Sequence, residues 1–185
     1  MRFSSRPPAG SAPGAVAGPD LRSAGRGGTG IGAAVYLAVY RKGDVERLAV
    51  TDDPESSSGA RWADFRTAAD AHAIGQCLLA QLDQVSSREH HARHPVPLIT
   101  PFSVRSQDEL RHCLDTVRCH QGSFLVRTYA QGTACSALPV QVGAAAGASA
   151  LSLRTDELRR LRSVTDRLRR MAEATLTTLA FSVSI

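Results

Sequence analysis

Residues 106–142 read SQDELRHCLDTVRCHQGSFLVRTYAQGTACSALPVQV, and this stretch decides the predicted fold. Ser106 followed by Glu109 forms a capping box, which predicts a helix start. The buried stripe of that helix recurs at three and four residues and consists of Leu110, Cys113, Leu114 and Val117. After Gly122 come two strand patterns, 123–129 and 135–142, joined by a turn at Gln131-Gly132. A helix followed by a hairpin favours an α+β fold.

Further strand and helix patterns lie on both sides of this stretch. A hairpin is predicted from 33–40 and 45–51 around Lys42-Gly43, and an amphipathic helix over 61–86. A charged, His-rich connection is predicted over 87–95, an edge strand over 96–104, and a small-residue linker over 143–149. The predicted order is β-β-α-β-α-β-β-α, a mainly antiparallel sheet with helices on one face.

Length and composition favour one domain with a tail. The chain has 185 residues, and 43% hydrophobic residues exclude collagen-like or wholly disordered classes. Residues 1–30 are rich in Gly, Pro, Ser and Arg without apolar periodicity, which predicts a flexible tail. Residues 31–185 are predicted to form a single α+β domain that ends in an Arg-rich amphipathic helix, 155–180.

The sequence predicts a bacterial, cytoplasmic protein. No apolar stretch is long enough to span a bilayer, and no apolar segment follows Arg2 and Arg6 as in a secretory signal. Lys42 is the sole lysine among the 22 basic residues, a bias typical of a GC-rich genome. The alternative is secretion into a host cell, because the first 19 residues lack acids and are rich in Ser, Ala and Pro.

The glycine string 27–32, followed by an apolar run and later by Asp52, resembles the opening of short-chain dehydrogenases. That resemblance implies that Gly28, Gly30 and Gly32 form a phosphate loop at a helix N-terminus and that Asp52 binds a ribose. The alternative is a flexible tail that enters a hairpin.

The order of elements over 106–142 resembles the first half of a Src homology 2 domain. The resemblance implies that Arg127, in Gly122-Ser-Phe-Leu-Val-Arg127, grips a phosphotyrosine with a bidentate fork. The alternative is an arginine that emerges from a strand end into solvent or pairs with Asp115.

Histidines and cysteines provide two further hypotheses. His90 and His94, one helical turn apart, could ligate zinc together with Cys113 or Cys119, although no paired cysteine motif occurs and an exposed polar loop is the alternative. Cys135, with His112 or His120 as base, could form a Cys–His nucleophile. Otherwise the four cysteines are reduced, small buried side chains.

The predicted terminal helix carries arginines around its apolar stripe. They could bind phosphates or an acidic partner, or they could be a solvated face with pairs such as Asp156–Arg160 and Asp166–Arg170. The candidate binding arginines, besides Arg127, are Arg159, Arg162, Arg167, Arg169 and Arg170.

The sequence therefore favours a bacterial intracellular binding or regulatory module without chemistry of its own. It would act through a protein partner, through a homodimer formed by the C-terminal helix, or through nucleic acid, with no membrane partner. We expect no cofactor. The alternative is a secreted effector with an export-signal tail and a possible Cys–His catalytic site.

Overall fold

The computed structural model describes residues 30–51, 68–96, 98–126, 128, 130, 132–142 and 144–182. The predicted tail, 1–30, lies outside this range except for Gly30. Within the range there are five strands and four α-helices. They are β1 (Ala34–Arg41), β2 (Asp44–Thr51), α1 (Ala73–Leu79), α2 (Gln84–Arg93), α3 (Gln107–His120), β3 (Ser123–Val126), β4 (Thr133–Val142), β5 (Ala145–Arg154) and α4 (Leu161–Ser182).

The strands form one sheet in the order β2-β1-β5-β4-β3, and every neighbouring pair is antiparallel. The predicted α+β fold with an antiparallel sheet is therefore confirmed. The first hairpin turns at Lys42 and Gly43, whose φ angles are 53° and 85°. Two consecutive positive φ angles match the twist of paired strands, which is why a tight turn forms here.

The main error of the sequence prediction is that it misses the central strand β5. Residues 143–149 were expected to be a linker, but Ala145–Arg154 pairs with β1 on one side and β4 on the other. Alanine, glycine and serine have low strand propensity, which tertiary packing overrides. In this strand Ala148 is fully buried and Ala150 is 4% exposed, and both lie on the face that packs against α1, which needs small side chains there.

The predicted helix over 61–86 is also different in the structure. Its first part, 61–67, lies outside the described residues. The remainder divides into α1 and α2, because the Asp83 carboxylate accepts the amides of Val85 and Ser86 at 2.9 and 2.8 Å and starts a new helix. The His-rich segment 87–95, predicted as a connection, consequently lies mostly in α2.

The predicted edge strand 96–104 is wrong for the residues that the structure describes there, none of which is in a strand. Instead, the hydroxyls of Thr100 and Ser103 donate to the Thr128 carbonyl at 3.1 and 2.6 Å and hold a loop. Pro101 has no amide to donate to a strand neighbour, which favours this outcome.

The predicted helix start at Ser106 is confirmed. The Ser106 hydroxyl accepts the Glu109 amide at 3.1 Å, and the Glu109 carboxylate accepts the Arg105 amide at 2.8 Å. The helix ends at Gln121, which takes a left-handed φ of 52°. The two strands that follow are confirmed in order, with bounds shifted by a few residues.

Helices cover both faces of the sheet. Leu78 of α1 and Leu114 of α3 pack with Tyr36, Ala137 and Ala150 on one face. Because side chains alternate along strands, the neighbouring residues point to the opposite face. There Ala134, Leu138, Leu151 and Leu153 pack with Leu161, Val164 and Leu168. The helices α1 and α3 thus share one face as predicted, whereas α4 lies on the other.

The terminal helix begins later than predicted. Residues Thr155–Arg160 form a 3-10 turn, and the α-helix starts at Leu161. A buried hydrogen bond of 2.6 Å joins the hydroxyls of Ser136 on β4 and Thr165 on α4. This bond fixes the helix over the strand because a buried hydroxyl without a partner would be costly.

Two glycine-to-alanine variants, one in α1 and one in an open turn, test how closely α1 packs. A Cβ atom on Gly75 would lie 2.0 Å from the backbone oxygen of Ala69, whereas one on Gly132 would meet nothing within 4 Å. We expect Gly75→Ala to lower the free energy of unfolding by about 1–3 kcal/mol or more, as overpacking does. Gly132→Ala is the control and should change it by less than about 0.5 kcal/mol. Urea unfolding of both variants measures this, and equal stabilities would contradict the close packing.

Candidate functional site

A small cavity lies between the sheet and α1. Its volume is about 20 Å³, which is room for one water molecule. Hydroxyl, thiol and imidazole groups meet apolar walls around it. The lining residues are Tyr36, His72, Ala73, Ile74, Cys135, Ala150, Leu151 and Ser152.

The polar groups of this cavity are held uncharged. Burial lowers the pKa of His72 to about 3, so the imidazole is neutral at physiological pH. Burial also raises the pKa of the Cys135 thiol, whose Sγ lies 3.6 Å from the Ser152 hydroxyl. The cavity therefore offers neutral hydrogen-bonding groups to whatever enters it.

The predicted Cys–His pair is not formed. Cys135 lies on β4 beside the cavity, whereas His112 and His120 lie exposed on α3. No hydrogen bond joins either histidine to Cys135 within the described part of the chain. A reactive thiol needs a lowered pKa, and burial moves that of Cys135 in the opposite direction. The histidine that shares the cavity with Cys135 is His72, which sequence reasoning did not single out.

All four cysteines are free thiols, as expected. Their burial differs from the prediction of small buried side chains. Cys77 is buried, and burial raises its pKa to about 12. Cys113 and Cys135 are half-buried, and Cys119 is exposed.

A second polar cluster joins α2 to the first hairpin and to the 3-10 turn Ala69–Ala71. The Tyr40 hydroxyl lies 3.2 Å from His90 Nδ1, and His94 Nε2 lies 3.2 Å from an Asp44 oxygen. The buried carboxylate of Asp70 lies 4.0 Å from His91 Nε2. Burial raises the pKa of Asp70 and lowers that of His90 to about 4.

This cluster does not form the predicted zinc site. The rings of His90 and His94 are near each other, with centroids 4.6 Å apart, but Cys113 lies on α3 among core residues. Over the residues that the structure describes, no group of three His, Cys, Asp or Glu side chains could hold a metal ion.

The candidate binding arginines of the terminal helix are exposed, as a solvated face requires. These are Arg159, Arg162, Arg167, Arg169 and Arg170. The pairing differs from the expected one, because Asp156 pairs with Arg154 at 3.0 Å and Glu157 pairs with Arg160. An Asp166–Arg170 ion pair is absent from the described side chains.

The resemblance to short-chain dehydrogenases finds no support in the fold. Gly30 and Gly32 lead into a strand of an antiparallel sheet, whereas a dinucleotide-binding loop opens a helix beside a parallel strand. Gly28 and Asp52, which that resemblance also implied, lie outside the described residues. So does Arg127, the implied phosphotyrosine ligand.

The fold is shared with transcriptional regulators. Solved structures with this architecture include a protein described as a transcriptional regulator from Rhodococcus sp. RHA1, with TM-score 0.71, 20% identity, and coverage of 82% of this chain and 62% of that one. IclR from Thermotoga maritima has TM-score 0.69, 15% identity, and coverage of 79% and 61%. The inducer-binding domain of the PobR transcription factor from Acinetobacter, solved with 3-hydroxybenzoic acid, has TM-score 0.61, 19% identity, and coverage of 82% and 96%.

These likenesses concern structure. No family model matches the chain, and no curated protein matches it in sequence. The chain spans about three fifths of the full-length regulators and most of the isolated inducer-binding domain. No described helix is long and apolar enough to cross a membrane.

The neutral state of His72 makes stability depend on pH. Its folded pKa of about 3 lies below the ordinary 6.5, so unfolding takes up a proton as the pH falls below 6.5. Stability from this group is fully present above pH 6.5 and is lost on the way down toward pH 3. His72→Gln should flatten the slope of unfolding free energy against pH by about 1 kcal/mol per pH unit between pH 6 and 4.5.

Chemical denaturation at several pH values measures that slope. The control is His112→Gln, which removes an exposed histidine of α3 and should leave the slope unchanged. Equal slopes for the wild type and His72→Gln would contradict a buried neutral His72.

Proposed function

We propose that this chain is the ligand-sensing domain of a bacterial transcriptional regulator and that its ligand enters the cavity beside Cys135 and His72. The observation that carries the proposal is this internal cavity with neutral polar groups, in a fold shared with an inducer-binding domain. The regulatory role fits the module favoured by the sequence. Nothing in the structure or the comparisons supports a secreted effector with thiol chemistry.

The position of the cavity supports a sensing role. It lies where α1 meets the centre of the sheet, between the buried side chains of Ile74 and Ala150. Ligand sites in proteins are typically concave, mostly apolar and furnished with a few polar groups. A cavity of about 20 Å³ is a closed state, so binding requires α1 to move outward from β5.

The chemistry of the lining favours a small ring or chain with a hydroxyl or carboxyl substituent. Tyr36, Ser152 and neutral His72 can donate or accept hydrogen bonds, while Ile74 and Ala150 contact apolar atoms. The first probe is 3-hydroxybenzoic acid, which has a ring, a hydroxyl and a carboxyl group and was solved in complex with a double mutant of the PobR domain. Substituted benzoates and short hydroxy acids complete the panel.

A cavity-filling variant tests the proposed site. A ligand at a hundred times its dissociation constant stabilises the folded state by about 2.7 kcal/mol, which raises the melting temperature of a chain of this size by about 5–10 °C. Ala150→Val fills the cavity and should abolish that rise. Thermal unfolding of the wild type and the variant against the panel measures it.

The control variant separates the cavity from an open cleft. Ala146 lies four residues earlier on the same strand and lines a cleft of about 440 Å³ at the end of the β4–β5 hairpin. Ala146→Val should leave the ligand-induced rise intact. If Ala146→Val removed the rise and Ala150→Val did not, the cleft would be the ligand site and the cavity assignment would be wrong.

We also propose that the chain forms a homodimer through the turn and helix at its C-terminal end. Leu158, on the 3-10 turn before α4, is 43% exposed, and contact with a second copy of the chain would remove its apolar side chain from water. The neighbouring arginines exclude a purely apolar contact, so the interface would be mixed. Nucleic-acid contact by this chain itself remains a less direct proposal.

Sedimentation velocity over a range of concentrations tests the dimer. Leu158→Glu should raise the dimer dissociation constant about tenfold or more, because it places a charge in the interface. Leu98→Glu is the control, since Leu98 is 72% exposed in the loop after α2. A monomer at all concentrations, or equal effects of both variants, would contradict the proposed interface.

A further inference from the structure

The short segment Gly30–Gly32 packs against the terminal helix through Ile31. Ile31 is 3% exposed and belongs to the same core cluster as Leu161, Val164 and Leu168. The two flanking glycines are exposed. The segment therefore has a buried anchor and two outward-facing positions that carry no side chain.

The φ angles of this segment alternate in sign. Gly30 and Gly32 have φ angles of +60° and +66°, while the φ of Ile31 between them is not positive. Backbone segments that alternate between the right- and left-handed helical regions form anion-binding nests, in which neighbouring N–H groups point to one side. Within the part of the chain that the structure describes, Ile31 and Gly32 form no backbone hydrogen bond.

Two arginines project onto this segment. The position that a Cβ atom would occupy on Gly30 lies 3.3 Å from Arg167 Nη2, and that on Gly32 lies 3.0 Å from Arg160 Nη2. The Nη1 atom of Arg160 pairs with Glu157, which leaves Nη2 directed at the glycine. Among the described residues, Arg167 has no ion pair and no hydrogen bond.

We propose that Gly30–Gly32, Arg160 and Arg167 form a binding site for a phosphate group. Both guanidinium groups bring positive charge to the same short segment, so an anion bound there would be attracted to both. Guanidinium forks and free backbone amides are the donors that phosphate oxygens prefer. The site lies on the α4 face of the sheet, opposite the proposed ligand cavity, and does not depend on it.

Inorganic phosphate is the probe, with chloride at equal ionic strength as the blank. We expect titration of the full chain to shift the NMR amide signals of Ile31 and Gly32 saturably. Arg167→Gln should raise the dissociation constant for phosphate about tenfold or more, because a charge-assisted hydrogen-bonding partner is lost. Since Arg167 is exposed, this variant should keep the fold, which the unchanged spectrum of the core verifies.

Arg169→Gln is the matched control. Arg169 is exposed on the same helix, and its guanidinium is not among the atoms next to either glycine. This variant should bind phosphate within about twofold of the wild type. The proposal would be overturned if chloride produced the same NMR shifts, or if both variants weakened phosphate binding equally. Either result would mean that phosphate is attracted by the overall positive charge of the helix and not by a defined site.

A second arm identifies the source of the phosphate. A duplex DNA of about 20 base pairs is titrated into the wild type, Arg167→Gln and Arg169→Gln, with inorganic phosphate as competitor. Binding that phosphate displaces and that Arg167→Gln alone weakens assigns the site to a nucleic-acid backbone. Phosphate binding without DNA binding assigns it to a small phosphorylated ligand. DNA binding that both variants weaken equally, with no phosphate saturation, would again overturn the site.

Discussion

The close approach of two helical layers to one central strand is the constraint on which this structure depends. The strand β5 is hydrogen-bonded on both edges and covered on both faces; Ala146, Ala148 and Ala150 face α1, whereas Leu151 and Leu153 face α4. Larger side chains at the alanine positions would push α1 away from the sheet. At the end of α1, the Gln81 side chain donates to the carbonyls of Cys77 and Gly147 at 2.8 Å, which ties the helical layer to this strand.

The parts of the fold that were predictable carry their information locally. The capping box at Ser106 and the Lys42-Gly43 turn are short-range signals, and both are realised in the structure. The strand β5 was missed because its composition is that of a linker, and only its neighbours make it a strand. The His-rich part of α2 was missed because its stabilisation comes from a cap at Asp83 and contacts with the first hairpin rather than from an apolar stripe.

The candidate site was less predictable than the fold for the same reason. Cys135 was singled out, but its cavity partner His72 is 63 positions away in sequence, and no spacing rule connects them. The arginine pair facing Gly30 and Gly32 is likewise a product of tertiary packing. The glycines had suggested phosphate recognition through a different geometry, that of a loop opening a helix. The phosphate site proposed above uses the same glycines beside a helix that lies more than a hundred residues away.

Because side chains alternate along β4 and β5, the same two strands contact the cavity on one face and α4 on the other. Cys135 and Ser152 face the cavity, while Ser136, Leu151 and Leu153 support α4 on the opposite side. Neighbouring residues share one backbone, so a displacement of either strand moves the side chains on both of its faces. A ligand that displaced β4 or β5 would therefore also displace the surface on which the terminal helix packs, because only one layer of polypeptide separates the cavity from that helix.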